Sequence, residues 1–148
     1  MFTSDGPLPA LGVSPSPDAV PFWEAAERGE LLLPYCPACA RFFFYPRTAC
    51  PTCGSRDTEW RPASGRGTLY TFCVQHVSPL PAFADAVPFV TAIVELDEGP
   101  RLMSFLVDVD VDVDAEPDAA GIRCGMPVEV TFTRDAENRT VPVFRPRP

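Results

Sequence analysis

The sequence predicts a mainly β protein in which an N-terminal helix and a small cysteine-rich ribbon precede a five-stranded barrel. Three observations carry this prediction. Four of the six cysteines stand as two C-x2-C pairs separated by ten residues. Apolar runs rich in Val, Phe, Thr and Tyr recur from Ser64 onward, each broken by Pro or Gly. Nineteen prolines in 148 residues leave little room for long uninterrupted helices.

Residues 1–17 hold Pro7, Pro9, Pro15 and Pro17 among small and polar residues with no apolar periodicity, and read as a flexible or extended arm. Residues 18–30 read as a short amphipathic helix. Asp18 is placed to cap it, Pro21 is tolerated in its first turn, Phe22, Trp23 and Ala26 share a face, and Gly29 supplies the stop. That stripe is expected to pack on the chain's own core, with docking of a partner as the rival role. Residues 31–62 contain an extended run into YCPAC and a near-copy, CPTCGS, whose Gly54 permits a left-handed turn. Residues 63–148 contain GTLYTFCVQHV, VPFVTAIVEL, RLMSFLV, MPVEVTF and VPVFRP, five strands without a helical crossover pattern. Five short strands over this length suggest a small antiparallel barrel such as an oligonucleotide/oligosaccharide-binding (OB) fold.

Cys36, Cys39, Cys50 and Cys53 form two knuckles whose four thiolates can surround one metal ion. Four thiolates leave no open coordination position, so the site is expected to be structural. Zinc is the favoured ion, and a single redox-active iron is the alternative that ligand spacing leaves open. Cys73 and Cys124 stand apart from this set and read as buried small residues. The sole histidine, His76, is three positions from Cys73, so on a strand the two point to opposite faces and do not form a nucleophile and base.

All 12 basic residues are Arg, which excludes a catalytic lysine, and the formal net charge of −8 opposes general binding to nucleic acid or anionic membranes. The stretch from Glu95 to Asp118 holds nine acidic residues and one Arg. Within it Asp108, Asp110, Asp112 and Asp114 alternate with valines, and no frame supplies the Gly and Glu of a 12-residue calcium loop. A solvated edge is the expected role. Residues 41–66 instead carry five Arg against two acids. With Phe42, Phe43, Phe44, Tyr45 and Trp60 interleaved, this stretch fits either an anion and base site or a small core fringed by guanidinium groups. The segment Gln75 to Phe89, with three prolines and two phenylalanines, exceeds a simple hairpin turn. It is expected to line a ligand channel, pack on a partner or cover one mouth of the barrel. No run approaches the roughly 20 apolar residues of a membrane span, and the start lacks the pattern of a secretory leader, so a cytoplasmic location is expected.

The order FWEAAERGELLLPYCPACARFFFYPRTACPTCGS, SGRGTLYTF, VPFVTAIVELDEGPRL, GMPVEVTF and VPVFRP resembles the stand-alone zinc-ribbon plus OB-fold family designated DUF35, over about residues 20–146. The resemblance implies a rubredoxin-like zinc ribbon with Cys36, Cys39, Cys50 and Cys53 as ligands. It implies a noncatalytic accessory subunit of thiolase-like, ketosynthase-fold enzymes, including sterol-carrier-protein-X-like aldolases of steroid side-chain breakdown. A hetero-oligomer that binds acyl-CoA beside the partner's substrate channel is the expected assembly. Arg66, His76, Phe83 and Phe89 are the residues it suggests for CoA or for the partner's channel. The 148 residues hold no hot-dog hydratase segment, so no hydratase activity is implied. A single-stranded nucleic-acid-binding protein and a small iron redox protein are the alternative functions.

Overall fold

The structure, a computed structural model, describes residues 1–111 and 121–148. A 3-10 turn, Pro17–Ala19, leads into helix α1, Val20–Glu27. Three short strands form the ribbon sheet: β1 Leu32–Cys36, β2 Arg41–Phe42 and β3 Glu59–Pro62, in the order β2-β1-β3. Five strands form a closed barrel: β4 Arg66–Gln75, β5 Phe89–Leu96, β6 Arg101–Leu106, β7 Pro127–Arg134 and β8 Thr140–Pro146, in the order β4-β5-β6-β8-β7. The barrel is therefore mainly β and of the expected strand number, with one parallel contact, Leu106 to Phe144, closing β6 onto β8.

Alternation along β5 shows how the sequence builds this barrel. Val90, Ala92, Val94 and Leu96 are buried toward the interior, while Thr91, Ile93 and Glu95 are only half-buried. Leu69, Leu102, Leu106, Val128 and Phe144 complete the same core. Close strand approach needs a residue without a side chain at Gly67, where a Cβ would collide with the carbonyl of Glu95. Phe22 of α1 and Leu31 and Leu33 of the ribbon join this core, so helix, ribbon and barrel share one apolar interior. The helix stripe thus packs on the chain's own core.

Capping of α1 differs from expectation. Asp18 lies within the 3-10 turn, and no side chain caps either helical start. The C-terminal stop is as expected: Gly29 adopts φ +73°, and the N–H groups of Arg28, Gly29 and Glu30 close on the carbonyls of Ala25 and Ala26. Glu27 then ties α1 to β8, accepting from Thr140 N at 3.1 Å and from Thr140 Oγ1 at 2.9 Å.

The arm is extended, but it is not a free flexible segment. Phe2 and Leu8 are buried. Leu8 N donates to Arg134 O at 2.8 Å, Asp108 N donates to Phe2 O at 3.0 Å, and Thr133 Oγ1 donates to Gly6 O at 2.7 Å. Phe2 and Leu8 stand six positions apart and show no period, yet both join one apolar cluster with Phe83, Phe89, Val107, Val141 and Val143. In the acidic run, Asp108 and Asp110 are exposed and Val109 and Val111 are buried, whereas Asp112 and Asp114 lie outside the described residues. No helix among the described residues is long and apolar enough to cross a membrane.

Candidate metal centre and ligand sites

The two knuckles are built alike. In the first, Ala40 N donates to Pro37 O and Ala40 adopts φ +51°; in the second, Gly54 N donates to Cys50 O and Gly54 adopts φ +76°. A left-handed residue after each second cysteine turns the chain back and directs both sulfurs of a knuckle inward. Phe43 packs behind Cys36 and Cys50 and, together with Cys39, forms the ribbon's own small core.

The four Sγ atoms lie within 4.8 Å of one another. Cys36 Sγ is 3.7 Å from Cys53 Sγ, and Cys39 Sγ is 3.9 Å from Cys50 Sγ. A tetrahedron with zinc-sulfur bonds of about 2.3 Å has edges of about 3.8 Å, so the cluster has the size that a four-thiolate zinc site requires. The thiols are electrically unequal. Backbone donation from Cys53 and then Thr52 pulls Cys50 down to about 6, while hydrogen bonding with Cys53, burial and the other thiols push Cys39 up to about 12. A divalent cation resolves this competition for protons by stabilising all four thiolates. Bound there, zinc supplies structural cross-linking, with no coordination position left for a substrate.

Family models match nearly the whole ribbon and most of the barrel. Residues 23–59 match the rubredoxin-like zinc ribbon domain of ChsH2, and residues 60–133 match the C-terminal OB-fold domain of ChsH2. The chain belongs to this zinc-ribbon and OB-fold family, the DUF35 family. It is 37% identical in sequence to a chain of the solved Ltp2-ChsH2(DUF35) aldolase, with a TM-score of 0.74, covering 90% of this chain and 98% of that one. A DUF35 domain-containing scaffold protein of Methanocaldococcus jannaschii is 38% identical over 70% of this chain and 67% of its own length. A probable enoyl-CoA hydratase alpha subunit of Thermomonospora curvata is 40% identical over 84% of this chain, which spans only 36% of that relative's length.

The four residues considered for CoA or partner contact fall into two groups. Phe83, in the 3-10 turn Pro81–Phe83, and Phe89, at the start of β5, pack with ring centroids 5.4 Å apart. His76 is exposed immediately after β4, at the same end of the barrel. Arg66 is exposed at the first residue of β4, opposite Glu129. Ten residues of strand place it about 30 Å from the other end of β4.

Other residues join Phe83 and Phe89 that the sequence did not single out. Phe2 stacks on Phe89 at 5.1 Å, and Phe105 stacks on Phe83 at 5.9 Å. The position of Phe105 on the outer side of β6 follows from strand alternation, whereas that of Phe2 has no local signal. A second groove, between ribbon and barrel, is lined by Arg41, Phe42, Phe44 and the turn through Gly99 and Arg101. The side chain of Arg101 is held there by Glu95 Oε2 at 2.7 Å and by the face of Tyr70. Arg61 likewise lies over the ring of Tyr35. Part of the cationic surface of residues 41–66 is thus occupied by contacts within the chain.

Proposed function

We propose that this protein is a noncatalytic accessory subunit that docks on a thiolase-like partner and helps bind an acyl-CoA thioester for a carbon-carbon bond reaction. The observation that carries the reading is the match to a chain of the Ltp2-ChsH2(DUF35) aldolase, which this chain covers almost from end to end. The scaffold-protein name of the Methanocaldococcus relative and the subunit name of the Thermomonospora relative point the same way. The chemistry of the chain agrees. Its metal site is closed to substrate, it has no lysine, and its lone histidine is exposed on a loop. A partner would therefore supply the nucleophile, the acid and the base.

In this reading the loop after β4, with His76 and Phe83, and Phe89 at the start of β5 face the apolar part of the thioester or the partner's channel. Arg66, at the far end, serves a phosphate or a partner carboxylate. The assembly is a hetero-oligomer acting in the cytoplasm, and steroid side chains are among the acyl groups it would handle. Tagged protein purified from its own cells should bring down a thiolase-like chain. Carbon-carbon cleavage or condensation of acyl-CoA by that eluate should fall when this subunit is removed. Retention of full partner activity without it, or recovery of nucleic acid instead of an enzyme, would overturn the reading.

A further inference from the structure

One cavity outside the metal centre combines apolar walls with a hydrogen-bonding group that is not fully used. It measures about 300 Å³ and lies on the outer face of the barrel. Four separate segments supply its apolar walls: Leu11 from the arm, Leu80 and Phe83 from the loop after β4, Phe89 from β5 and Phe105 from β6. The aromatic walls are fixed from behind. Phe83 and Phe89 are 4% and 6% exposed, and Phe2 wedges against Phe83, Phe89 and Phe105 with centroid separations of 5.1 to 6.2 Å. A pre-formed wall of this kind needs little rearrangement to receive a ligand.

The polar group is Gln75. Its Nε2 donates to Thr91 Oγ1 at 3.2 Å, and Thr91 Oγ1 donates to Cys73 O at 3.4 Å. This relay orients the amide while leaving a second N–H and Oε1 available at the cavity. No Asp, Glu, Arg or His is among the residues lining it. A charged group entering there would lose water without gaining a counter-charge, whereas an apolar group gains by burial.

We propose that this cavity binds an uncharged apolar group bearing one carbonyl oxygen. The hydrocarbon lies against Phe83, Phe89 and Phe105, and the oxygen accepts a hydrogen bond from Gln75 Nε2. For its biological role the inference rests on the accessory-subunit reading, and it assigns to this cavity the acyl end of the thioester rather than its nucleotide. Leu80 is 58% exposed at the rim, so changing it blocks the entrance without disturbing the core.

The test is calorimetric titration of the zinc-loaded full chain with the N-acetylcysteamine thioester of cyclohexanecarboxylic acid, an uncharged probe without a nucleotide. The expected result is saturable binding that Leu80→Arg and Gln75→Ala each weaken roughly tenfold, the scale of one lost hydrogen bond or more. The melting temperature of Leu80→Arg should be unchanged, and free CoA should not compete. Absence of saturable binding to the native chain, or binding by both variants as tight as that of the native chain, would overturn the proposal. If the native chain binds no thioester while Leu80→Arg abolishes capture of the thiolase-like partner, the cavity is a protein contact and the proposal fails while the accessory-subunit reading stands. If the thioester binds as expected but no partner is recovered, the cavity assignment stands and that reading fails.

Discussion

The sulfurs of Cys36 and Cys53 lie 3.7 Å apart although 17 positions separate the residues in the chain. Each short pair in the cluster joins one knuckle to the other, so the metal ties together two loops that have little other reason to meet. The ribbon sheet that carries them has only two-, four- and five-residue strands, too little to hold itself together unaided.

Metal removal should therefore unfold the ribbon. Purified protein is expected to be colourless and to hold one zinc ion per chain by elemental analysis. Cys36→Ser, or a strong chelator, should lower the melting temperature and increase hydrogen exchange across residues 31–62. Barrel amides should be affected less, although Leu31 and Leu33 enter the shared core. A red, redox-active iron preparation from cells supplied with both metals would contradict the zinc assignment.

Ala40 holds the left-handed conformation that Gly54 holds in the other knuckle, with φ +51° against +76°. A Cβ makes that conformation costly by about 1 kcal/mol. Ala40→Gly should raise ribbon stability by up to this amount, offset in part by the greater freedom of glycine in the unfolded chain. Equal or lower resistance to chelator-induced unfolding would show that the site carries no such strain.

Glu27 clamps α1 to the barrel through both oxygens, and donation from Thr140 N, then from Thr140 Oγ1, lowers its pKa below the ordinary 4.5. A lowered folded value means that the unfolded chain binds the proton more readily. The stabilisation is thus complete above about pH 4.5 and is lost as pH falls through the lowered value. With the Glu27 side chain 47% exposed, its worth is about 1 kcal/mol or less. Denaturation of Glu27→Gln should show a smaller stability difference from the native chain at pH 3 than at pH 7. A difference that does not narrow in acid would contradict the clamp.

Phe2 sits among Phe83, Phe89 and Phe105, and its carbonyl accepts from Asp108 N at 3.0 Å. Phe2→Ala leaves a cavity in that cluster and should cost about 3 kcal/mol in urea denaturation, less if the arm simply lets go. Faster exchange of the Asp108 amide should accompany the loss. An unchanged exchange rate would show that the arm does not depend on Phe2.

Much of the fold was legible because it is written in local patterns. The cysteine knuckles announce themselves by spacing alone, and the five barrel strands by β-rich runs between Pro and Gly. What escaped was decided by partners distant in sequence. Phe2 anchors the arm through residues more than eighty positions away, and nothing near Phe2 marks that contact. The third ribbon strand, Glu59–Pro62, forms because β1 offers an edge opposite Trp60 and Arg61. Asp18 has the right chemistry for a cap, but Pro17 and Pro21 tighten the entry into a 3-10 turn that leaves its carboxylate unused as a cap. Among the ligand candidates, Phe83 and Phe89 come together at one end of the barrel, and Arg66 lies at the other because β4 runs its full length between them.

In the proposed function this chain works as a subunit rather than alone. Size-exclusion chromatography with light scattering tests this on the protein co-expressed with whichever thiolase-like protein affinity capture brings down, coupled to an acyl-CoA cleavage assay across the elution profile. One hetero-oligomeric peak that coincides with the activity is expected, with loss of that activity when either chain is expressed singly. Separate elution of the two chains, with activity confined to the partner alone and undiminished, would contradict it.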